Sequence, residues 1–183
     1  MIKHLAIALV AANLSSLTSP AADIAVEGTL KPFLGQSRME MTQVFKDERF
    51  PNIVVTRKGT VLATWGKKSV RARRSEDAGK TWGPEITIAT SGLHGGGTTV
   101  DETSGDILAF VEEKHPPAPL TLYRSSDDGK TWKPEKPEIH PDSKGNMPSM
   151  HMNEHGITLR HGQHKGRLLR ASRYYGVRNH RDE

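Results

Sequence analysis

Residues 75–82 have the sequence Ser-Glu-Asp-Ala-Gly-Lys-Thr-Trp, and residues 125–132 have the sequence Ser-Ser-Asp-Asp-Gly-Lys-Thr-Trp. The shared pattern Ser-x-Asp-x-Gly-x-Thr-Trp recurs at a period of about 50 residues, which is typical of a repeated structural unit. The Asp favours bonds to nearby backbone N–H groups, the Gly permits a positive φ angle, and the Trp packs the turn onto its own sheet. The pattern therefore predicts a hairpin turn in each unit. The turn-forming residues are Ser75, Asp77, Gly79, Thr81 and Trp82 in the first copy and Ser125, Asp127, Gly129, Thr131 and Trp132 in the second.

Runs of strand-forming residues flank both octapeptides at matching positions, and a further strand pair follows them. We predict strands at 52–56, 59–65, 69–74 and 85–89 in the first unit, 97–100, 105–111, 120–124 and 137–140 in the second, and 155–160 and 166–172 in a third that begins at about residue 150. Four-stranded antiparallel units at this period are typical of β-propeller blades. The predicted fold class is therefore all-β, with about two and a half blades.

A propeller ring needs at least four blades, so about two and a half cannot close one. We expect the sequence to be the N-terminal part of a longer protein whose remaining blades are missing. Two alternatives stay open, since the chain could associate to complete its sheets or form an open array with exposed edges.

The N-terminus predicts export. Lys3 precedes an apolar stretch over residues 5–14, and Ser-Pro-Ala at residues 19–21 is typical of a cleavage site. We predict a signal peptide over residues 1–21 and a secreted or periplasmic domain over residues 22–183. The apolar stretch is short for a spanning helix, which disfavours a membrane anchor. The formal net charge is +5, but the basic residues are scattered, so nucleic acid is not an expected partner.

Arg-Phe-Pro at residues 49–51, with the strand pair that follows, resembles the Arg-Ile-Pro segment of the sialidases. These enzymes are six-bladed propellers whose Asp-box (BNR) repeats are similar to the two octapeptides, and the resemblance covers roughly residues 40–176. It implies a glycoside hydrolase relative acting on terminal sialic acid or similar acidic sugars of glycans. It also implies that Arg49 binds the sugar carboxylate, for which a forked guanidinium is well shaped; the alternative is a solvated or salt-bridged surface arginine. No cofactor and no metal are expected.

The resemblance fails at the acid/base aspartate of the family. That group belongs in the loop between the second and third strands of the first blade, where this chain has Gly-Lys-Lys at residues 66–68. The second blade offers Glu113, in the sequence Glu-Glu-Lys-His at residues 112–115, as a substitute acid/base; the alternative is a solvated loop tip. The family's tyrosine nucleophile, its glutamate and two further arginines are expected beyond residue 183.

Several histidines lie near glycines or near one another. His94 precedes three glycines at a strand entrance and is predicted to contact substrate, although a plain turn is the alternative. His155 is predicted to line the ligand face, whereas His151, His161 and His164 are expected to be solvated. Their spacing does not match a helical zinc site, although a chance metal site among them stays an alternative.

The sequence supports two functional hypotheses, one enzymatic and one non-catalytic. The first is an exported sialidase-like hydrolase relative, incomplete and inactive as this sequence stands. The second is a carbohydrate- or protein-binding propeller that has lost catalysis, which the missing aspartate favours. A purely structural repeat module would need only the octapeptides.

Overall fold

The computed structural model describes residues 39–46, 49–151 and 155–174. Residues 42–183 form one compact unit; of the other unit, residues 1–41, only 39–41 are described. The predicted signal peptide therefore lies outside the described residues. No helix long and apolar enough to cross a membrane occurs in the described ranges.

The first sheet is a four-stranded antiparallel meander. Its strands, in order across the sheet, are β1 (Asn52–Val55), β2 (Val61–Trp65), β3 (Val70–Ser75) and β4 (Ile86–Ala89). All four coincide closely with the predicted strands. The octapeptide 75–82 forms most of the connection between β3 and β4.

The second sheet repeats this topology with β5 (Leu93–Val100), β6 (Ile107–Glu112), β7 (Leu120–Ser125) and β8 (Lys133–Glu135). Its fourth strand was predicted at 137–140 and instead follows Trp132 directly, where Lys133 pairs with Arg124. Pro134 is tolerated there because β8 is an edge strand. The first strand starts earlier than predicted, since residues 95–97 form a bulge between the pairs His94–Val111 and Thr98–Ala109.

A third, two-stranded sheet pairs β9 (Ile157–Thr158) with β10 (Leu168–Leu169). The predicted fold class is confirmed: the chain is all-β and has the strand content of two four-stranded propeller blades and part of a third.

The hydrophobic core lies between the two four-stranded sheets. Leu62 of β2 and Ile107 of β6 are fully buried in one cluster, together with Val54, Val70, Ala72, Ile88, Ala89, Ala109 and Val111. Complete burial of such side chains stabilises the fold by roughly 1.5–3 kcal/mol each. The second octapeptide closes this core, because Trp132 packs against the cluster. A Cβ at Gly129 would lie 3.1 Å from Leu62 Cδ1.

The octapeptide turns have the predicted hydrogen bonds from backbone N–H groups to Asp, together with bonds from the Thr hydroxyl to Asp and from the Gly N–H to Ser. In the first, the Thr81 N–H and hydroxyl donate to the Asp77 carboxylate at 2.8 and 2.6 Å, and the Gly79 N–H donates to Ser75 Oγ at 2.8 Å. The second repeats these contacts around Asp127 at 2.8, 2.6 and 2.9 Å. Both glycines have positive φ, 88° and 81°. The turn chemistry predicted from the sequence is confirmed.

Candidate functional site

The predicted site residues gather at one end of the two sheets. In a meander, the start of the first strand and the end of the second lie at the same end. Arg49 and Phe50 precede β1, Gly66 follows β2, His94 opens β5 and Glu112 ends β6. The Gly66 N–H donates to the Arg49 carbonyl at 3.0 Å, and the His94 N–H donates to the Gly66 carbonyl at 3.0 Å. The octapeptides follow β3 and β7 and therefore lie at the opposite end.

Arg49 is exposed and faces no described carboxylate. Its guanidinium carbon lies 5.0 Å from the ring centroid of Phe50, a cation–π distance. Phe50 has φ of 60°, a conformation that is rare for a bulky residue and that clusters at functional sites. An exposed guanidinium that contacts no described acid is available to an anionic ligand.

The loop at residues 66–68 is too tight for a side chain at its first position. Gly66 has φ of 149°, and a Cβ there would lie 1.9 Å from the Ser69 carbonyl oxygen. Lys67 and Lys68 are exposed. The place where the family resemblance expects an acidic group is therefore a closed turn that carries two cations.

Glu112, rather than its neighbour, is the acid enclosed by the fold. Its side chain is 1% exposed, and Oε1 accepts hydrogen bonds from the Ser149 hydroxyl at 2.7 Å and the Met150 N–H at 3.0 Å. Burial raises the pKa of Glu112, an effect that the bonds from Ser149 and Met150 only partly offset. Glu113 is exposed, and its N–H donates to the Pro119 carbonyl at 3.0 Å. The predicted acid pair is thus split between interior and solvent.

His151 is buried against this acid, so the expectation that it is solvated is wrong. It is 5% exposed, and its Nδ1 lies 3.6 Å from Glu112 Oε2. Its ring packs edge-on against His115 and Phe50, with centroid distances of 4.6 and 5.3 Å. The cluster that joins the second blade to the Arg49 segment is therefore Glu112, His115, His151 and Phe50.

His94 is fully buried, which disfavours the predicted contact with substrate. Its Nε2 lies 3.5 Å from the Thr98 hydroxyl. Burial, with a smaller contribution from the charge of Arg170, lowers its pKa to about 4. The imidazole is therefore neutral at pH 7.

The three glycines after His94 allow a close approach of neighbouring groups. A Cβ at Gly97 would lie 2.6 Å from the His155 N atom, and one at Gly95 would lie 3.1 Å from Glu112 Oε2. The bulge thus accommodates the third sheet on one side and the buried acid on the other.

His155 is exposed on the wall of an open pocket of about 430 Å³ that Ile53 and Ile157 also line. His161 and His164 are exposed, as expected. Within residues 39–46, 49–151 and 155–174, no group of three or more His, Asp or Glu side chains could hold a metal ion.

Arg170 was missed by the sequence analysis. It follows β10, and its guanidinium lies 4.7 Å from the Phe110 ring centroid and donates to the Thr99 hydroxyl at 2.7 Å. Burial lowers its pKa to about 10. Its contacts are with Phe110 and Thr99, 60 and 71 positions earlier in the chain, which no local pattern indicates.

Comparison with known proteins gives one curated relative and weak structural neighbours. A sialidase from Micromonospora viridifaciens is 28% identical over 160 residues, a match that covers 68% of this chain and 25% of that protein. No protein-family model matches the chain. The Hadza microbial sialidase Hz136 has a TM-score of 0.44 and 21% identity, covering 62% of this chain and 30% of its own. A protein of unknown function from Dyadobacter fermentans has a TM-score of 0.39 and 15% identity, covering 60% and 44%. The chain thus has weak sequence similarity to a sialidase and spans about a quarter of that protein's length.

Proposed function

We propose that this chain belongs to an exported glycoside hydrolase relative that acts on terminal sialic acid or similar acidic sugars of glycans. The observation that carries the proposal is the placement of Arg49. Its guanidinium is exposed, has no described carboxylate partner and lies at the end of the sheets where Glu112 and His151 are buried. The sequence similarity to a sialidase supports the same class of ligand.

In this proposal Arg49 binds the sugar carboxylate through two parallel N–H donors. Glu113 is the solvent-accessible acid of the β6–β7 loop and is the proposed acid/base group, while buried Glu112 positions the segment around Met150. His155 is proposed as a further ligand contact because it is exposed beside β1. His94, which is buried, would act only by supporting the bulge.

A binding propeller without catalysis is the second candidate function. It is favoured by residues 66–68, where a closed turn with two lysines takes the place of an acidic group. General acid help is typically worth 10²- to 10⁴-fold in rate, so its absence would leave a weak enzyme or none.

Both candidate functions require that an acidic sugar binds at Arg49. Calorimetric titration of the 183-residue chain with N-acetylneuraminic acid tests this binding. We expect saturable binding that Arg49→Gln weakens at least tenfold and that the matched exposed control Arg167→Gln leaves unchanged. N-acetylglucosamine, which has no carboxylate, should not bind. Equal affinities of the Arg49→Gln variant and the parent would refute the role of Arg49.

Release of sialic acid from a fluorogenic sialoside separates hydrolysis from binding. For the 183-residue chain we expect no release above the solvent rate. Release that Glu113→Gln abolishes would assign catalysis to this chain and contradict that expectation. Export is proposed separately from residues 1–21 and is tested by whether that segment directs a fused reporter out of the cytoplasm.

A further inference from the structure

The outer face of the first sheet carries an open, positively charged pocket that the proposed function does not use. Side chains alternate along β3, so Val70 and Ala72 enter the core while Arg71 and Arg73 project from the opposite face. The strand register places Trp65 opposite Arg71 and Ala63 opposite Arg73. Directly paired residues share a face of the sheet, so these four side chains lie together.

Phe45 forms one wall of this pocket. Its ring stacks on Trp65 with a centroid distance of 4.2 Å and an interplanar angle of 8°. With Lys46, Arg71, Arg73 and Glu85, the two rings bound a space of about 410 Å³, which we call the Arg73 pocket. This volume lies within the range of small-molecule sites.

The charges of the Arg73 pocket are not balanced. Glu85 pairs with Arg71, and it is the only acid among the described lining residues. Among the described residues, the Arg73 side chain has no hydrogen-bond or ion-pair partner, and its Nε is buried. Because Ala63 is small, it leaves room beside this guanidinium. Lys46 adds a second cation to the lining and has no ion pair with a described acidic residue.

We propose that the Arg73 pocket binds an oxyanion, such as a carboxylate or sulfate group, on a ligand of about monosaccharide size. The outward N–H groups of Arg73 would donate two parallel hydrogen bonds, the geometry that guanidinium offers to planar anions. The Phe45 ring, which stacks on the buried Trp65 ring, would contact the apolar face of a sugar ring. Arg49 does not line this pocket, so the site is separate from the one proposed above and does not depend on it.

Titration of the 183-residue chain with sodium sulfate, D-glucuronate and D-glucose tests the assignment. We expect sulfate and glucuronate to bind and glucose not to bind. Arg73→Gln should weaken the binding of both anions at least tenfold. Glu85→Gln should increase the affinity for both anions several-fold, because it removes a negative charge and releases Arg71 from its ion pair. Tighter binding of glucuronate than of sulfate would show that the pocket also recognises the sugar ring. Equal affinities would show that the oxyanion alone is enough for binding.

Arg49→Gln serves as the control that separates the two proposals. It should leave the Arg73-dependent binding of sulfate and glucuronate unchanged, whereas Arg73→Gln should leave the Arg49-dependent binding of N-acetylneuraminic acid unchanged. A folded parent that binds neither anion, or an Arg73→Gln variant with parental affinity, would overturn the proposal. Thermal melts of each variant verify folding. An unchanged anion affinity of the Glu85→Gln variant would also contradict the proposed pocket.

Discussion

Arg74 Nη2 lies 2.8 Å from Asp128 Oδ2, and this contact joins the strand before the first octapeptide to the turn of the second. Arg74 Nε also donates to the Asp128 carbonyl at 2.8 Å, and the Thr60 hydroxyl donates to Oδ2 at 2.6 Å. Burial alone would raise the pKa of Asp128, but hydrogen bonds from Thr56, Thr60 and Arg74 outweigh it and lower the pKa. The octapeptide therefore fastens neighbouring blades as well as its own hairpin.

Replacing Asp128 with Ala should destabilise the chain by about 1–3 kcal/mol, because Arg74 and Thr60 would lose a buried acceptor. Urea unfolding at pH 7 measures the loss. Glu76→Ala provides the matched control, since Glu76 contacts the same arginine at 3.0 Å but is 71% exposed. An exposed pair of this kind contributes about 0–1 kcal/mol. Equal losses in the two variants would contradict the role assigned to Asp128.

Ala78 occupies the position in the first octapeptide that Asp128 occupies in the second. It has φ of 60°, where an alanine is strained, and it is exposed and forms no side-chain bond. Ala78→Gly should therefore stabilise the chain by up to about 1 kcal/mol, since glycine adopts this conformation without the Cβ penalty. Thermal melting detects the gain. As a control, Ala72→Gly in the buried centre of β3 should destabilise; a loss at both positions would refute strain at Ala78.

The octapeptide aspartates should make the free energy of unfolding decrease at acidic pH. Hydrogen bonds from Thr81 lower the pKa of Asp77 to about 2, and bonds from Thr131 and Ser125 outweigh burial to lower that of Asp127 to about 2. A lowered folded pKa gives a stabilisation that is complete above the ordinary value of 3.8 and is lost as pH falls towards 2. In Asp127→Asn, unfolding curves between pH 5 and pH 2 should depend less on pH than in the parent. Parallel pH profiles would contradict this linkage.

The octapeptide turns could be predicted because their chemistry is local. Asp127, Gly129 and Thr131 bond within eight residues, so composition and order are sufficient. The inter-blade contact of Asp128 could not be predicted, because its partners Thr60 and Arg74 lie in the preceding unit. The local sequence pattern specifies the conformation of each hairpin. The contacts that the hairpin makes with the preceding unit depend on tertiary packing.

The candidate site was less predictable for the same reason. Glu112 and Glu113 are adjacent identical residues, and the contacts of Glu112 with Ser149, Met150 and His151 place one of them inside. His94 and His151 are buried by contacts between strands and loops that the spacing of histidines does not record. The position of Arg49 before β1 could be predicted, because its neighbours in sequence specify a strand start.

Glu112→Gln should be at least as stable as the parent at pH 7. Burial raises the pKa of Glu112 above 4.5, so ionisation in the folded state carries a cost that appears as pH rises from 4.5 through the folded pKa. A neutral amide removes that cost and retains Oε1 as the acceptor for Ser149 and Met150. The advantage of the variant should therefore shrink as pH falls below 4.5. Urea unfolding from pH 4 to pH 8 measures it, with exposed Glu113→Gln as the control. Lower stability of Glu112→Gln at pH 7 would show instead that the fold stabilises the carboxylate.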